Sequence, residues 1–95
     1  MTDAVTPEQF HESEGVDDWR VLAGRATAYF RAGSFARGVE LIDAITAFAE
    51  AANHHPDIDI RWNKVHLVLS THSTGGLTVL DIALAAAIDR LRPLR

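Results

Sequence analysis

Two periodicities of apolar residues alternate along this chain. Between Ala36 and Asn53, the residues Leu41, Ile42, Ile45, Phe48, Ala49 and Ala52 recur at helical spacing, while Arg37, Glu40, Asp43 and Glu50 fall mostly elsewhere. That pattern predicts an amphipathic helix. Ser34 is its candidate N-cap and Asn53 its C-terminal cap. Pro56 forbids continuation and biases His55 toward extended backbone. From Val65 to His72 the period drops to two. Val65, Leu67, Leu69 and Thr71 share one face, and His66, Val68, Ser70 and His72 the other, which predicts a strand. Asp57 to Trp62 alternates too, with Ile58 and Ile60 opposite Asp57, Asp59 and Arg61. With Asn63-Lys64 as the turn, the two stretches predict an antiparallel hairpin.

The ends of the chain complete the pattern. Residues 1 to about 15 read as a polar lead with at most a short helix, Thr6 capping it and Pro7 in its first turn. Phe10, Trp19 and Leu22 are its candidate apolar anchors. Arg25 to Phe30 reads as a strand, followed by a turn at Arg31-Ala32-Gly33-Ser34 and a short second strand through Phe35. A helix continuing from Trp19 is the competing reading of that stretch. Ser73 to Leu77 is a glycine-bearing loop. Thr78 opens a last helix, with Asp81 completing a capping box, and Pro93 closes it. Its predicted apolar stripe is Leu80, Ala83, Leu84, Ala87, Ile88 and Leu91.

The predicted order is helix-β-β-helix-β-β-helix. Each main helix is apolar along one stripe, so each needs an apolar surface to cover, and one face of a four-stranded antiparallel sheet supplies it. The expected fold is therefore α+β: a two-layer sandwich in one domain over residues 1–95, with about three helices on one face of the sheet.

Composition narrows the function classes. Thirteen Asp and Glu against nine Lys and Arg give a net charge of −4, which argues against sequence-independent binding to nucleic-acid backbones. No apolar run reaches the roughly 18–20 residues of a membrane span. The acidic N-terminus shows no signal-peptide pattern. There is no cysteine, so disulfides, thiolate metal sites and cysteine nucleophiles are excluded. The expected compartment is cytoplasmic.

What chemistry remains lies in one segment. Four of the five histidines fall between positions 54 and 72. Imidazole, with an unperturbed pKa of about 6.5, suits proton transfer in either direction near neutrality. His54 and His55 precede a stiffening proline, and His72 sits at a strand end against a glycine loop, where sites commonly lie. His66 shares a strand face with His72 but reads as a surface or interface residue. Glu50 stands one helical turn before His54, so the pair can share a face. Asp81 already has a structural role as a capping carboxylate. Adjacent histidines followed by proline fit a zinc site poorly. Neither Ser70 nor Ser73 sits on a nucleophile elbow. The Ser73-Thr74-Gly75-Gly76 loop lacks the Walker lysine, although its backbone donors can hold an anion or a polar heterocycle.

Taken together these residues form a longer pattern. Glu50-x3-His54-His55-Pro56, five residues to Trp62, nine to His72 and eight to Asp81 resembles the signature of pterin-4a-carbinolamine dehydratases, also called 4a-hydroxytetrahydrobiopterin dehydratases. Asn63-Lys64-Val65, Ser70-Thr71-His72 and Gly76-Leu77-Thr78 extend the resemblance, which covers about residues 35 to 91. Trp62 stands where tyrosine is frequent in that family, and Ser73 where an acidic residue is common. The family's cleaner Phe-x-Phe pattern before the helix is reduced here to Tyr29-Phe30 and Phe35. The resemblance implies three helices on one face of a four-stranded sheet, assembly as a homodimer or homotetramer, and dehydration of a 4a-hydroxytetrahydropterin. It implies His54, His72 and His55 as the catalytic set and Pro56, Thr71, Ser73 and Thr74 as substrate-binding residues. Glu50 and Asp81 support them, and no metal or cofactor is implied. Some relatives have lost the histidines and assist Rubisco assembly, and some animal members bind a transcription factor, so a non-catalytic interaction module is the alternative.

Overall fold

A computed structural model describes residues 4–91. Seven elements follow in the order α1 (Pro7–Glu12), β1 (Arg20–Leu22), β2 (Arg25–Arg31), α2 (Phe35–Ala52), β3 (Asp57–Arg61), β4 (Lys64–Leu69) and α3 (Val79–Asp89). The four strands form one antiparallel sheet in the order β1-β2-β4-β3, an α+β architecture as expected. Among the described residues no helix is long and apolar enough to cross a membrane.

Local chemistry sets the helix ends where the sequence placed them. Thr6 caps α1 through a reciprocal pair with Gln9: the Gln9 amide donates to the Thr6 hydroxyl over 3.0 Å and the Thr6 amide to Gln9 Oε1 over 2.8 Å. Ser34 caps α2 by accepting from the Arg37 amide. Asn53 ends it in the left-handed conformation, φ 49°. The helical end of α3 predicted at Pro93 lies outside the described residues.

The first hairpin differs from the expectation. The turn falls at Ala23-Gly24, with φ of 54° and 76°, and joins β1 to β2. The Arg31–Ser34 stretch, predicted as the turn, instead carries the chain from β2 to the cap of α2. Arg25–Phe30 is indeed a strand, but its hairpin partner precedes it. Two consecutive left-handed residues suit the twist of a two-residue hairpin. Gly24 adopts that backbone freely, whereas Ala23 carries no turn signal in its side chain.

Between the sheet and the helices lies one core. Phe10, Trp19, Ile45, Leu67, Leu69 and Ile88 are among its fully buried side chains. Trp19 meets Phe30 edge to face at 6.2 Å. Burying a side chain the size of Phe10 contributes about 1.5–3 kcal/mol. Leu22, expected to anchor the lead with Phe10 and Trp19, is instead 78% exposed on edge strand β1. Helix α2 lies close to the sheet because Gly38 allows it: a Cβ there would stand 3.0 Å from Ile60 Cδ1.

The helix stripes are turned relative to the prediction. In α2, Gly38, Leu41, Ile45 and Ala49 are buried, while Phe48 is half out and Ala52 exposed. In α3, Leu84 and Ile88 face inward as expected, but Asp81, Ala85 and Asp89 complete the buried face, and Leu80 and Ala83 face out. Helix α3 is apolar nearly all round, so periodicity could find the helix but not orient it.

Candidate active site

Strand pairing brings the histidines together. Asp57 opposes Val68 where β3 starts and β4 nears its end. Continuing that register backward brings His55 level with Ser70 and His54 level with Thr71. The segment leaving α2 and the segment leaving β4 therefore run side by side at one end of the sheet. Between them lies a cleft of about 400 Å³ lined by Asn53, His54, His55, Ser70, Thr71, His72, Ser73 and Leu80.

The tight end of α2 aims the two adjacent rings. The Asn53 amide reaches the Glu50 carbonyl and the His54 amide the Ala49 carbonyl, over 3.2 and 3.1 Å. The left-handed turn at Asn53 then swings His54 off the helix axis. It does not pair with Glu50, as the helical spacing predicted. Its Nε2 lies 2.6 Å from Asp81 Oδ1 on α3. Glu50 takes the next ring instead: Glu50 Oε2 stands 2.6 Å from His55 Nε2, in an exposed pair. The helix had already ended, so the i, i+4 geometry no longer applied.

Asp81 is the organising group. It is fully buried, and His54 beside it is largely so. Its Oδ2 accepts from the Thr78 amide over 2.9 Å, closing the capping box of α3, and from the Thr71 hydroxyl over 2.7 Å. The Thr71 and Thr78 hydroxyls stand 2.8 Å apart. Thr71 has one proton and gives it to Asp81, so Thr78 donates to Thr71. The Thr78 oxygen in turn accepts from the Leu80 amide. One carboxylate thus caps a helix, fastens the end of β4 and holds a histidine. The capping role read from the sequence and the supporting role expected from the resemblance belong to the same residue.

A buried carboxylate accepts and cannot donate when ionised, so the His54 Nε2 is the donor. Nδ1 is then the acceptor nitrogen of the ring. His72 is exposed on the facing segment, just past the Thr71-Gly76 bridge. That bridge folds the loop back: the Thr71 amide donates to the Gly76 carbonyl over 2.7 Å.

Of the expected substrate-binding residues, Thr71 and Ser73 line the cleft, and Thr71 spends its hydroxyl on Asp81. Pro56 and Thr74 are not among the lining residues. Thr74 turns its hydroxyl to the Thr71 carbonyl, 3.1 Å away. Sequence reasoning missed Asn53, Ser70 and Leu80; each neighbours a residue it singled out, the register of β3 on β4 adds Asn53 and Ser70, and the first turn of α3, held by Asp81, adds Leu80. His66 stays apart on the outer sheet face, its Nε2 2.7 Å from the Thr27 hydroxyl and its ring stacked on Tyr29 at 4.2 Å. Trp62, part of the sequence pattern, sits in the β3–β4 turn at the far end of the hairpin, 74% exposed.

A model of the family described as Pterin 4 alpha carbinolamine dehydratase matches residues 3–91. The chain belongs to this family. A Chloroflexus aurantiacus protein carrying the pterin-4-alpha-carbinolamine dehydratase name is 47% identical over 74 residues, covering 78% of this chain and 80% of that one. A Nocardia farcinica protein named likewise is 43% identical over 91 residues, covering 95% and 96% of the two chains. Among solved structures, a transcriptional coactivator/pterin dehydratase from Brucella melitensis matches with a TM-score of 0.88 at 26% identity, over 95% of this chain and 99% of that one. A pterin dehydratase-like protein identified as a RuBisCO assembly factor in the alpha-carboxysome matches with a TM-score of 0.63 at 25% identity, over 78% and 86%. Proteins of this fold therefore include one titled a pterin dehydratase and one titled an assembly factor, and the site chemistry has to separate the two readings.

Proposed function

We propose that this chain removes water from a 4a-hydroxytetrahydropterin to give the quinonoid dihydropterin. The reaction breaks the C4a–O bond and the N5–H bond and forms a C4a=N5 double bond. One proton must reach the departing hydroxyl and another must leave N5. The oxidation level does not change, so positioned general acids and bases, each worth roughly 10²–10⁴-fold, supply the chemistry in kind.

The observation that carries the reading is the convergence of His54, His55 and His72 from two chain segments on one cleft, with Asp81 buried behind His54. His54 and His72 form the acid–base pair. Asp81 fixes the His54 tautomer with the proton on Nε2 and stabilises the imidazolium when Nδ1 takes a proton. The same imidazolium can return that proton, so the pair serves either role. His55, braced by Glu50, contacts the substrate. Ser73 and the backbone of the Thr71–Thr74 turn face the donor and acceptor edge of the pterin, and Pro56 stiffens the segment that carries both rings.

The expected assembly is a homodimer or homotetramer; the exposed Phe35 and Val39 of α2 support an interface there. Sedimentation velocity checks it, with a monomer at working concentration the contrary result.

A second reading, a non-catalytic interaction module, is favoured by the likeness to the RuBisCO assembly factor. Ultraviolet monitoring of 4a-hydroxytetrahydropterin decay decides between the two. The dehydratase reading expects the protein to speed decay beyond the buffer rate. Decay at the buffer rate favours the module.

A further inference from the structure

Every hydrogen-bonding group of Thr71 is taken up within the protein. Its amide donates to the Gly76 carbonyl over 2.7 Å. Its carbonyl accepts from the Thr74 and Gly75 amides, over 3.2 and 3.0 Å. Its hydroxyl accepts from Thr78 over 2.8 Å and donates to Asp81 Oδ2 over 2.7 Å. The residue lines the cleft beside His54, yet it is 6% exposed and its hydroxyl is committed to the buried carboxylate. A hydroxyl used in this way acts on Asp81 rather than on a substrate.

That hydroxyl ends a line of donors that all point one way. The Leu80 amide donates to the Thr78 hydroxyl over 3.2 Å, Thr78 donates to Thr71, and Thr71 to Asp81. A hydroxyl that accepts a bond becomes a better donor, so the line carries the polarity of the first turn of α3 to one carboxylate oxygen. The Thr78 amide adds a second bond to the same oxygen, over 2.9 Å. Oδ1 is left to His54. Thr71, Thr78 and Asp81 are all buried, so these bonds are sheltered from solvent. The donors on Oδ2 are neutral and fixed, whereas the one on Oδ1 belongs to a ring that gains and loses a proton. Charge drawn toward Oδ2 is withheld from His54. The other titratable groups around His54 are His55, held by Glu50, and His72 across the cleft, and among the described residues neither bonds Asp81.

We propose that Thr71 is a positioning residue for the dehydration: its hydroxyl, oriented by Thr78, sets how firmly Asp81 holds His54 in the imidazolium form. The proposal rests on the dehydratase reading and on the part His54 plays in it. Without the hydroxyl, Oδ2 keeps one donor, more of the charge falls to Oδ1, and the imidazolium gains. In Thr71→Val, which keeps the side-chain shape and loses the hydroxyl, His54 Nδ1 should therefore take up its proton at a pH about half a unit to one unit higher, the differential worth of one hydrogen bond to a carboxylate.

Nitrogen-15 chemical shifts followed against pH read that midpoint for each histidine, independently of activity. Thr71→Ser, which retains a hydroxyl, should titrate as the wild type does, and His66, on the outer sheet face, should titrate alike in all three proteins. In kcat/KM against pH, the limb that belongs to His54 should move up with the midpoint, the acidic limb where His54 takes the proton and the alkaline limb where it gives one. A Thr71→Val protein with the native His54 midpoint overturns the proposal, as does a Thr71→Ser protein that shifts as Thr71→Val does. A raised KM with both limbs in place makes Thr71 a substrate contact and overturns it too. The wild type supplies a check that needs no variant to fold: the resonance of the buried Thr71 hydroxyl proton should move downfield as His54 loses its proton, and a resonance that ignores that titration overturns the proposal. A wild type that does not speed pterin decay overturns the dehydratase reading itself, while a moved midpoint in Thr71→Val would still show that Thr71 acts on His54 through Asp81.

Discussion

Exchanging Asp81 for asparagine changes one atom and reverses a hydrogen bond. In the native protein Asp81 Oδ2 accepts from the Thr78 amide and the Thr71 hydroxyl, and Oδ1 from His54 Nε2. In Asp81→Asn one oxygen remains. Turned toward Thr78 and Thr71, it keeps both cap bonds. The opposite orientation would aim an amide N–H at two donors, stranding them in a fully buried place at about 1–3 kcal/mol. The amide NH2 therefore faces His54, whose Nε2 must now accept. The ring proton moves to Nδ1, the nitrogen proposed to serve the substrate, and the basic lone pair there is lost. Trading a charge-assisted bond for a neutral one should lower stability by about 1–2 kcal/mol, read from urea unfolding at constant m. The tautomer reversal should cost about 10²–10⁴-fold in the dehydration rate. Nitrogen-15 chemical shifts of His54 report the tautomer directly. An Asp81→Asn protein with the native tautomer and the native rate would refute this account of how the carboxylate works.

Other perturbations separate site from scaffold. His66→Ala should leave turnover nearly unchanged, since its ring packs on Tyr29 outside the cleft; a large loss would show that the site extends to the outer sheet face. Gly38→Ala gains about 1 kcal/mol of helix propensity and must push Ile60 Cδ1, 3.0 Å from the new Cβ, aside by a few tenths of an ångström, so the denaturation midpoint should move by less than about 1 kcal/mol with the cleft residues in place; a loss above about 2 kcal/mol would show that Ile60 cannot give way. Trp62→Asn should raise stability by about 0.5–1 kcal/mol, because Trp62 holds φ 53° on an exposed turn and asparagine tolerates that backbone better. A midpoint that falls instead would mean that the indole makes a contact worth more than the strain.

Much of this arrangement was legible residue by residue. Thr6, Ser34, Asn53 and Thr78 marked helix ends because caps act locally, through bonds to amides and carbonyls a few residues away. The alternation of Val65, Leu67 and Leu69 gave the face of β4 because a strand buries every second residue. Long-range pairings were not legible in the same way. Glu50 and Asp81 both looked able to hold His54, and only the left-handed turn at Asn53 decides that Asp81 does. The β1–β2 turn escaped notice because alanine at Ala23 hides a left-handed backbone, while Ala32-Gly33-Ser34 has turn composition but leads into a helix cap. Ser70 and Asn53 joined the cleft through the register of two strands, which no local signal encodes.

The central claim is that His54 and His72 move the protons. Its most direct test is the rate of 4a-hydroxytetrahydropterin decay with the wild type and with His54→Ala, His72→Ala and the double variant, each checked for native circular dichroism. Each single variant should lose most of the acceleration, and the folded double variant should return decay to the buffer rate. A folded double variant that dehydrates the pterin as fast as the wild type would contradict the claim.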